Sequence, residues 1–132
     1  MTLAGSAASI SRADLVVDTS ALVAIVRHEA ASDWLVEQLD AGDDRVMAAP
    51  TFVELGMVLE SRAPASVGIA RRAIRDAAIE IVPFDDDLAD RAMEGWRRFG
   101  KGRHPAALNF GDCHTYALAD KLGLPILCTG DD

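Results

Sequence analysis

Acidic side chains recur along the chain beside short apolar segments. They are Asp18, Glu54, Asp112, Asp131 and Asp132. Several carboxylates in one cleft repel one another, and a hard cation removes that cost. Oxygen ligands, with no His or Cys in a recognisable metal-binding spacing, favour Mg²⁺ or Mn²⁺ over zinc. Because such ions polarise a phosphodiester and activate a water, the pattern points to metal-assisted phosphodiester hydrolysis.

The elements that must position these acids are predicted from the spacing of apolar residues. Strands are predicted at 15–17, 45–49, 79–82 and 125–128. Helices are predicted at 20–26, 33–41, 51–62, 65–77, 86–99 and from Asn109 or Gly111 to 122, with Ser32 as a cap. Because strands alternate with helices, the sequence predicts an α/β fold: three layers, α/β/α, around a mostly parallel sheet of four to five short strands.

The predicted strands direct the acids to one edge of the sheet. In an open α/β sheet, ligands bind outside the carboxyl ends of the strands, near the point where the strand order reverses. Asp18 follows the first strand, the pair Asp131 and Asp132 follows the last, and Asp112 begins the helix before it. Glu54 falls in the first turn of its predicted helix. Each acid alone fits a helix cap, a first-turn acid or a turn residue, but together they predict one crevice.

The length and composition bound the number of domains. A chain of 132 residues fits one domain, which we place at 15–132. We expect 1–14 to be a flexible leader, a cloning remnant or an alternative start. No apolar run approaches the roughly 18 residues that span a bilayer, and no signal-peptide pattern opens the chain. A cytoplasmic protein that does not enter a membrane is therefore expected.

The net charge of −8 argues against a nucleic-acid binder, because phosphate contacts need Lys and Arg. A metal ion would offset the charge of acids that bind it. Basic residues also gather within seven positions, and we call them the basic cluster: Arg97, Arg98, Lys101 and Arg103. This cluster is either a solvated helix end, where the C-terminal end of the helix dipole favours cations, or a surface that steers the substrate by contacting nucleic-acid phosphates.

The cysteines and tryptophans have conventional interpretations. Cys113 and Cys128 match no zinc spacing, so buried free thiols in a reducing compartment are expected. Trp34 and Trp96 fall on the apolar faces of predicted helices. For both, a place in the core or in a dimer interface is favoured over stacking on a nucleic-acid base.

Four short motifs resemble those of PIN domains, and the third resembles that of the VapC toxins. They are Val16-Val-Asp-Thr-Ser-Ala21, Thr51 to Leu55, Asn109-Phe-Gly-Asp-Cys113 and Leu127-Cys-Thr-Gly-Asp-Asp132. The segment Phe99-Gly-Lys-Gly-Arg-His-Pro105 also resembles a loop of many VapC proteins. Each motif is short, but their order and spacing are specific, and the resemblance covers Val16 to Asp132.

The resemblance implies a homodimeric, Mg²⁺- or Mn²⁺-dependent endoribonuclease. Such a protein is usually the toxin of a type II toxin–antitoxin pair and is inhibited by a VapB-like antitoxin. Carried over by position, the catalytic and metal-binding acids would be Asp18, Glu54, Asp112 and Asp132, with Asp131 as a substitute or helper. Ser20 and Thr129 would orient carboxylates or waters, and Asn109 would shape the start of the last motif's helix.

One departure from the family leaves an alternative open. Family members usually continue past the fourth aspartate, so either the sequence is trimmed there or the fourth ligand is incomplete. The alternative function is a PIN-fold binding module with weak or lost catalysis that acts through its antitoxin. A phosphatase of the haloacid dehalogenase type is disfavoured, because it needs a second acid two residues after Asp18, where Ser20 stands.

Overall fold

The computed structural model describes residues 14–129. The strands are β1 (Leu15–Val17), β2 (Arg45–Ala48), β3 (Ile79–Val82) and β4 (Ile126–Leu127). The helices are α1 (Thr19–Val26), α2 (Ser32–Asp40), α3 (Ala49–Arg62), α4 (Ser66–Asp76), α5 (Asp86–Phe99) and α6 (Phe110–Leu122). Every predicted element is present, and its ends differ from the prediction by at most two residues.

The sheet has the order β3-β2-β1-β4, and all neighbouring strands are parallel. From β1 the chain moves to β2 and β3 on one side, and it returns to β4 on the other. The strand order therefore reverses beside β1, where Val16 pairs with both Val46 and Ile126. This reversal makes the carboxyl ends of β1 and β4 the expected place for a site.

Strand β1 shows how helices come to cover both faces of the sheet. Successive side chains of a strand point to opposite faces. Leu15 and Val17 belong to a core shared with α1 to α4, whereas Val16 belongs to a second core shared with α5 and α6. All three are buried, as a continuous apolar strand requires. The predicted three-layer fold is thus confirmed.

The starts of α2 and α3 change the place of residues named in the sequence analysis. Ser32 lies inside α2, and the residue before it, Ala31, makes no capping hydrogen bond through its side chain. The predicted Ser32 cap is therefore wrong. Helix α3 begins at Ala49, because Pro50 fits the first helical turn, where its missing N–H group has no partner to lose. Glu54 consequently lies in the second turn of α3 rather than in the first.

The exposure of Trp34 and the end of α6 test two further predictions from the sequence. Trp34 was expected on the apolar face of α2, but its side chain is 54 % exposed. Helix α6 ends at Leu122, as predicted, and is capped by Gly123, whose φ of 67° lies in the left-handed region that favours glycine. Within residues 14–129, no helix is both long and apolar enough to cross a bilayer.

Candidate active site

Asp18 is buried at the carboxyl end of β1 and also caps α1. Its backbone N–H donates to Leu127 of β4, which ties it to the sheet. Its Oδ2 accepts hydrogen bonds from the backbone N–H and the hydroxyl of Ser20, at 3.1 and 2.8 Å. Its Oδ1 accepts from the Thr115 hydroxyl at 2.7 Å. Because three donors converge on one carboxylate, its orientation is fixed.

Asp112 is held by a reciprocal pair of hydrogen bonds at the start of α6. Its backbone N–H donates to the side-chain oxygen of Asn109 at 2.8 Å, and its Oδ2 accepts from the Asn109 N–H at 3.0 Å. This arrangement is a capping box, which satisfies two N–H groups at the helix start. Of the two caps considered from the sequence, the structure selects Asn109 over Gly111.

Asp18 and Asp112 line the same cavity, which measures about 250 Å³. Its other lining residues are Ser20, Leu108, Thr115, Tyr116, Ile126, Cys128 and Thr129. The backbone N–H of Thr129 donates to the Ser20 hydroxyl at 3.1 Å, so the chain after β4 is joined to the start of α1. The structure therefore brings together two of the predicted acids and both predicted hydroxyl residues at the carboxyl ends of β1 and β4.

Glu54 lies beside this cavity rather than in its lining. Its Oε1 accepts a hydrogen bond from the Thr19 hydroxyl at 2.9 Å. Its carboxylate also rests against Gly111 of α6, where an added Cβ would lie 2.7 Å from the Glu54 Cδ. The side chain faces a larger groove between α3 and α6. Its place in the second turn of α3 explains this displacement from the strand end.

Three buried threonines connect the surroundings of Asp18 and Glu54, and we call them the hydroxyl network: Thr19, Thr51 and Thr115. The Thr115 hydroxyl donates to Asp18, so the Thr51 hydroxyl, 3.2 Å away, donates to Thr115. The Thr19 hydroxyl reaches both the backbone oxygen of Thr51 and the carboxylate of Glu54. The network thereby sets the position of one acid relative to the other.

The donor chemistry of the cavity fits a hard divalent cation. Mg²⁺ keeps several waters and binds through one or two carboxylates, and Asp18 and Asp112 supply that number. Among residues 14–129, no three His, Cys, Asp or Glu side chains form a group that could hold a metal ion. Asp131 and Asp132, the predicted fourth acids, lie outside the described residues.

The basic cluster lies at the end of α5 and in the loop that follows. Arg97 forms an ion pair with Glu94 at 2.9 Å. The guanidinium carbons of Arg98 and Arg103 lie 4.9 and 4.2 Å from the ring centroids of Phe99 and Trp96. Lys101 is exposed. The loop closes through a bridge between Gly100 and Leu108, and Leu108 also lines the cavity of the two aspartates.

The titration of two side chains near the cavity is shifted by burial. Burial, and to a smaller extent the charge of Asp112, raises the pKa of the Cys113 thiol. A thiol with a raised pKa stays protonated at neutral pH, so Cys113 is a poor nucleophile and metal ligand. Burial lowers the pKa of His114. Cys113 is buried, as predicted, whereas Cys128 is only half-buried.

Comparison with known proteins identifies the family. A model of the PIN domain matches residues 15–132. Ribonuclease VapC42 of Mycobacterium tuberculosis is 40% identical over 120 residues, which cover 89% of this chain and 92% of that protein. The chain is a PIN-domain protein of the VapC family. Ribonuclease VapC of Mycolicibacterium smegmatis is also 40% identical, over 118 residues that cover 89% of this chain and 92% of that protein.

Two solved structures share the fold of this chain. A crystal structure of Mycobacterium tuberculosis VapC20, a Sarcin-Ricin loop cleaving toxin, has a TM-score of 0.72 at 18% identity and covers 89% of this chain and 91% of that chain. A toxin–antitoxin complex from Klebsiella pneumoniae has a TM-score of 0.65 at 15% identity, covering 85% of this chain and 82% of that chain. The likeness confirms the PIN fold.

The interpretation of the sequence missed the hydroxyl network and Gly111. Thr115 lies three residues after Asp112, so it shares a face of α6 with that acid, and this spacing was an available signal. Thr51 and Gly111 lie in the second and third motifs, but their local spacing did not indicate these contacts. Their roles depend on contacts between α3 and α6, which are distant in the chain.

Proposed function

We propose that this VapC-family protein is a metal-dependent endoribonuclease and the toxin of a type II toxin–antitoxin pair. The observation that carries the proposal is the pair Asp18 and Asp112, which line one cavity where the strand order reverses. The relatives at 40% identity, which are named ribonucleases, support RNA as the substrate. The fixed orientation of both carboxylates, and the burial of Asp18, support hydrolysis rather than binding alone.

The proposed cofactor is Mg²⁺ or Mn²⁺, held by Asp18 and Asp112. Glu54 and one of the acids at 131 and 132 would complete the ligand set. The chemistry supplied by such an ion is polarisation of the phosphodiester and activation of a water for in-line attack. An all-oxygen donor set suits these ions better than zinc, which prefers His and Cys.

The chain's own residues supply orientation. A carboxylate offers about four lone-pair sites, and the three hydrogen bonds to Asp18 leave about one for a ligand. Ser20 and Thr115 therefore direct the remaining lone pair. Asn109 performs the same task for Asp112 through the capping box. Carboxylates held in this way need little rearrangement when the substrate binds.

The decisive experiment measures RNA cleavage by the purified protein with Mg²⁺ or Mn²⁺. We expect cleavage that is abolished by EDTA and by Asp18→Ala. Asp14→Ala is the matched control, because Asp14 lies at the opposite end of β1 and its side chain contacts the backbone of Asp44. Cleavage that survives both EDTA and Asp18→Ala would refute the proposal.

Titration calorimetry with Mn²⁺ separates the nuclease from a binding module. We expect saturable binding at millimolar ion or below, lost in Asp18→Ala and kept in Asp14→Ala. If Mn²⁺ does not bind saturably to wild-type protein that remains folded, the chain is a PIN-fold binding module with lost catalysis.

The proposed partners are a VapB-like antitoxin and a second copy of the chain in a cytoplasmic homodimer. The toxin–antitoxin complex that shares the fold supports the antitoxin. An apolar groove of about 600 Å³ between α3 and α4 offers a surface for binding the antitoxin. Sedimentation of the purified protein, alone and with the product of a neighbouring small reading frame, tests both partners.

A further inference from the structure

Trp96 is held rigidly at the surface near the end of α5. The Arg103 guanidinium carbon lies 4.2 Å from the centroid of its ring. The backbone of Gly100 packs against the pyrrole edge, and an added Cβ there would lie 2.6 Å from Cδ1 and 2.9 Å from Nε1. The side chain nevertheless remains 45 % exposed. The ring is therefore packed on both a face and an edge without being buried. It does not lie in the core, and the alternative place in a dimer interface stays a prediction.

The indole lines a second cavity of about 330 Å³, which we call the aromatic cavity. Its lining combines rings, a cation and an amide: Trp96, Phe110, His114, Lys101 and Asn109, with Met93 among the apolar remainder. Phe110 is 82 % exposed, and its ring meets that of His114 edge to face at 4.5 Å. These are the groups that hold a flat, polar-edged ligand.

The aromatic cavity adjoins the candidate active site across the start of α6. Leu108 lines both cavities. Asn109 lines the aromatic cavity, while its backbone and side chain hold Asp112. A ligand in the aromatic cavity would therefore occupy a site next to the cavity of the two aspartates, so one RNA strand would enter both.

We propose that the aromatic cavity holds an unpaired base of the RNA substrate, stacked against Trp96. Single-stranded RNA is recognised by stacking its bases on aromatic side chains and by hydrogen bonds to their edges. Lys101, which lines the cavity, and Arg103, which lies against Trp96, would contact the neighbouring phosphates. The inference rests on the proposed ribonuclease function and adds to it a subsite that selects single-stranded RNA near the cleaved bond.

The charges of the cavity favour RNA over a protein partner as the occupant. Lysine is depleted at the centre of protein interfaces, whereas sites for single-stranded nucleic acid pair aromatic platforms with cations. Arg97 is neutralised by Glu94, but Lys101 and Arg103 form no ion pair that the structure records among residues 14–129. The positive charges of Lys101 and Arg103 can therefore attract RNA phosphates, which the net charge of −8 would otherwise repel.

The chain's two tryptophans allow a direct spectroscopic test. Trp34→Phe leaves Trp96 as the only indole, and Asp18→Ala prevents cleavage. We expect a short single-stranded RNA of mixed sequence to quench Trp96 fluorescence with the same affinity that RNA anisotropy reports. A duplex RNA of the same sequence should quench less. An unchanged fluorescence at saturating RNA would overturn the proposal.

Substitutions at the two tryptophans provide a matched pair. Trp96→Ala in the Asp18→Ala protein should weaken RNA binding by roughly 5- to 100-fold, as the loss of one stacked base does. Trp96→Phe keeps a ring and should restore most of the affinity. Trp34→Ala removes an indole from α2 that is 54 % exposed and should leave RNA binding unchanged. Circular dichroism checks that each variant is folded.

The remaining outcomes separate this inference from the proposed function. If wild-type protein cleaves RNA and Trp96→Ala cleaves it equally well, the base subsite is wrong and the nuclease stands. If wild-type protein neither cleaves nor binds RNA, both fail. If Trp96 fluorescence follows protein concentration instead of RNA, and Trp96→Ala dissociates a dimer, the cavity is a contact between copies and the proposal is overturned.

Discussion

Asp18 and Glu54 are acids of the same predicted site, but the structure holds them differently. Asp18 directly follows β1, is 9% exposed and accepts three hydrogen bonds. Glu54 lies in the second turn of α3, faces a groove and accepts one hydrogen bond recorded within residues 14–129. A strand end is fixed by the sheet, whereas the position of a helical residue depends on where its helix begins. We therefore expect Asp18 to contribute more to the site than Glu54.

The largest effect is expected from removing the charge of Asp18. Asp18→Asn keeps the shape and the helix cap, so the fold should persist. Metal affinity and cleavage should fall by more than about 100-fold. Mutation of a residue that only supports a metal ligand already lowers metal affinity or activity by about 10- to 100-fold. Glu54→Gln should cost less. Mn²⁺ titration and single-turnover cleavage measure the losses in the two variants. Equal losses would contradict the expectation that Asp18 contributes more than Glu54.

A smaller loss is expected from Thr115→Val, which removes one donor to Asp18 and keeps the side-chain shape. Mn²⁺ affinity and kcat should fall by roughly 10- to 100-fold, with KM for RNA unchanged. Thr115→Ser should recover most of the loss, and Thr51→Val, one hydrogen bond further away, should cost less. If Thr115→Val lowers only the melting temperature, the hydroxyl network has no role in positioning Asp18.

Gly111→Ala tests how Glu54 is held. The new Cβ would displace the Glu54 carboxylate. Cleavage should fall by about tenfold, which is the lower end of the activity losses seen when residues around a metal ligand are changed. Stability should not fall in parallel, because alanine favours a helix over glycine by up to about 1 kcal/mol. Gly68→Ala in α4, where a Cβ meets nothing within 4 Å, is the control. Unchanged cleavage in Gly111→Ala would show that Glu54 is dispensable.

The smallest effect concerns the capping box of α6. Asn109→Ala should lower the free energy of unfolding by about 1 kcal/mol, because the hydrogen bond from the Asp112 N–H to the Asn109 side-chain oxygen is lost. Asn109→Asp keeps an acceptor and should restore stability. Urea denaturation measures the difference. A loss below about 0.3 kcal/mol in Asn109→Ala would mean that Asp112 is held by other contacts, since caps typically contribute more.

The sequence predicts local features of this molecule better than contacts between distant elements. Apolar runs and Pro and Gly boundaries were enough for the strands, the parallel sheet and most helix ends. Asp18 and Asp112 were placed correctly together because each depends on its own strand end or helix start. The hydrogen bond between Thr51 and Thr115 joins residues 64 positions apart and left no periodic signal. Periodicity also could not show whether the face of α2 that carries Trp34 is covered or exposed.

Asp18 begins a helix as well as facing the cavity, and this double role limits how the protein can evolve. A descendant that replaced Asp18 with alanine would lose the nuclease and also about 1 kcal/mol of stability from α1. Asparagine caps a helix as well as aspartate does, so inactive descendants should retain Asn, Ser or Asp at this position. An aspartate conserved here among relatives can therefore record selection for folding alone, and it is not by itself a sign that those relatives still cleave RNA.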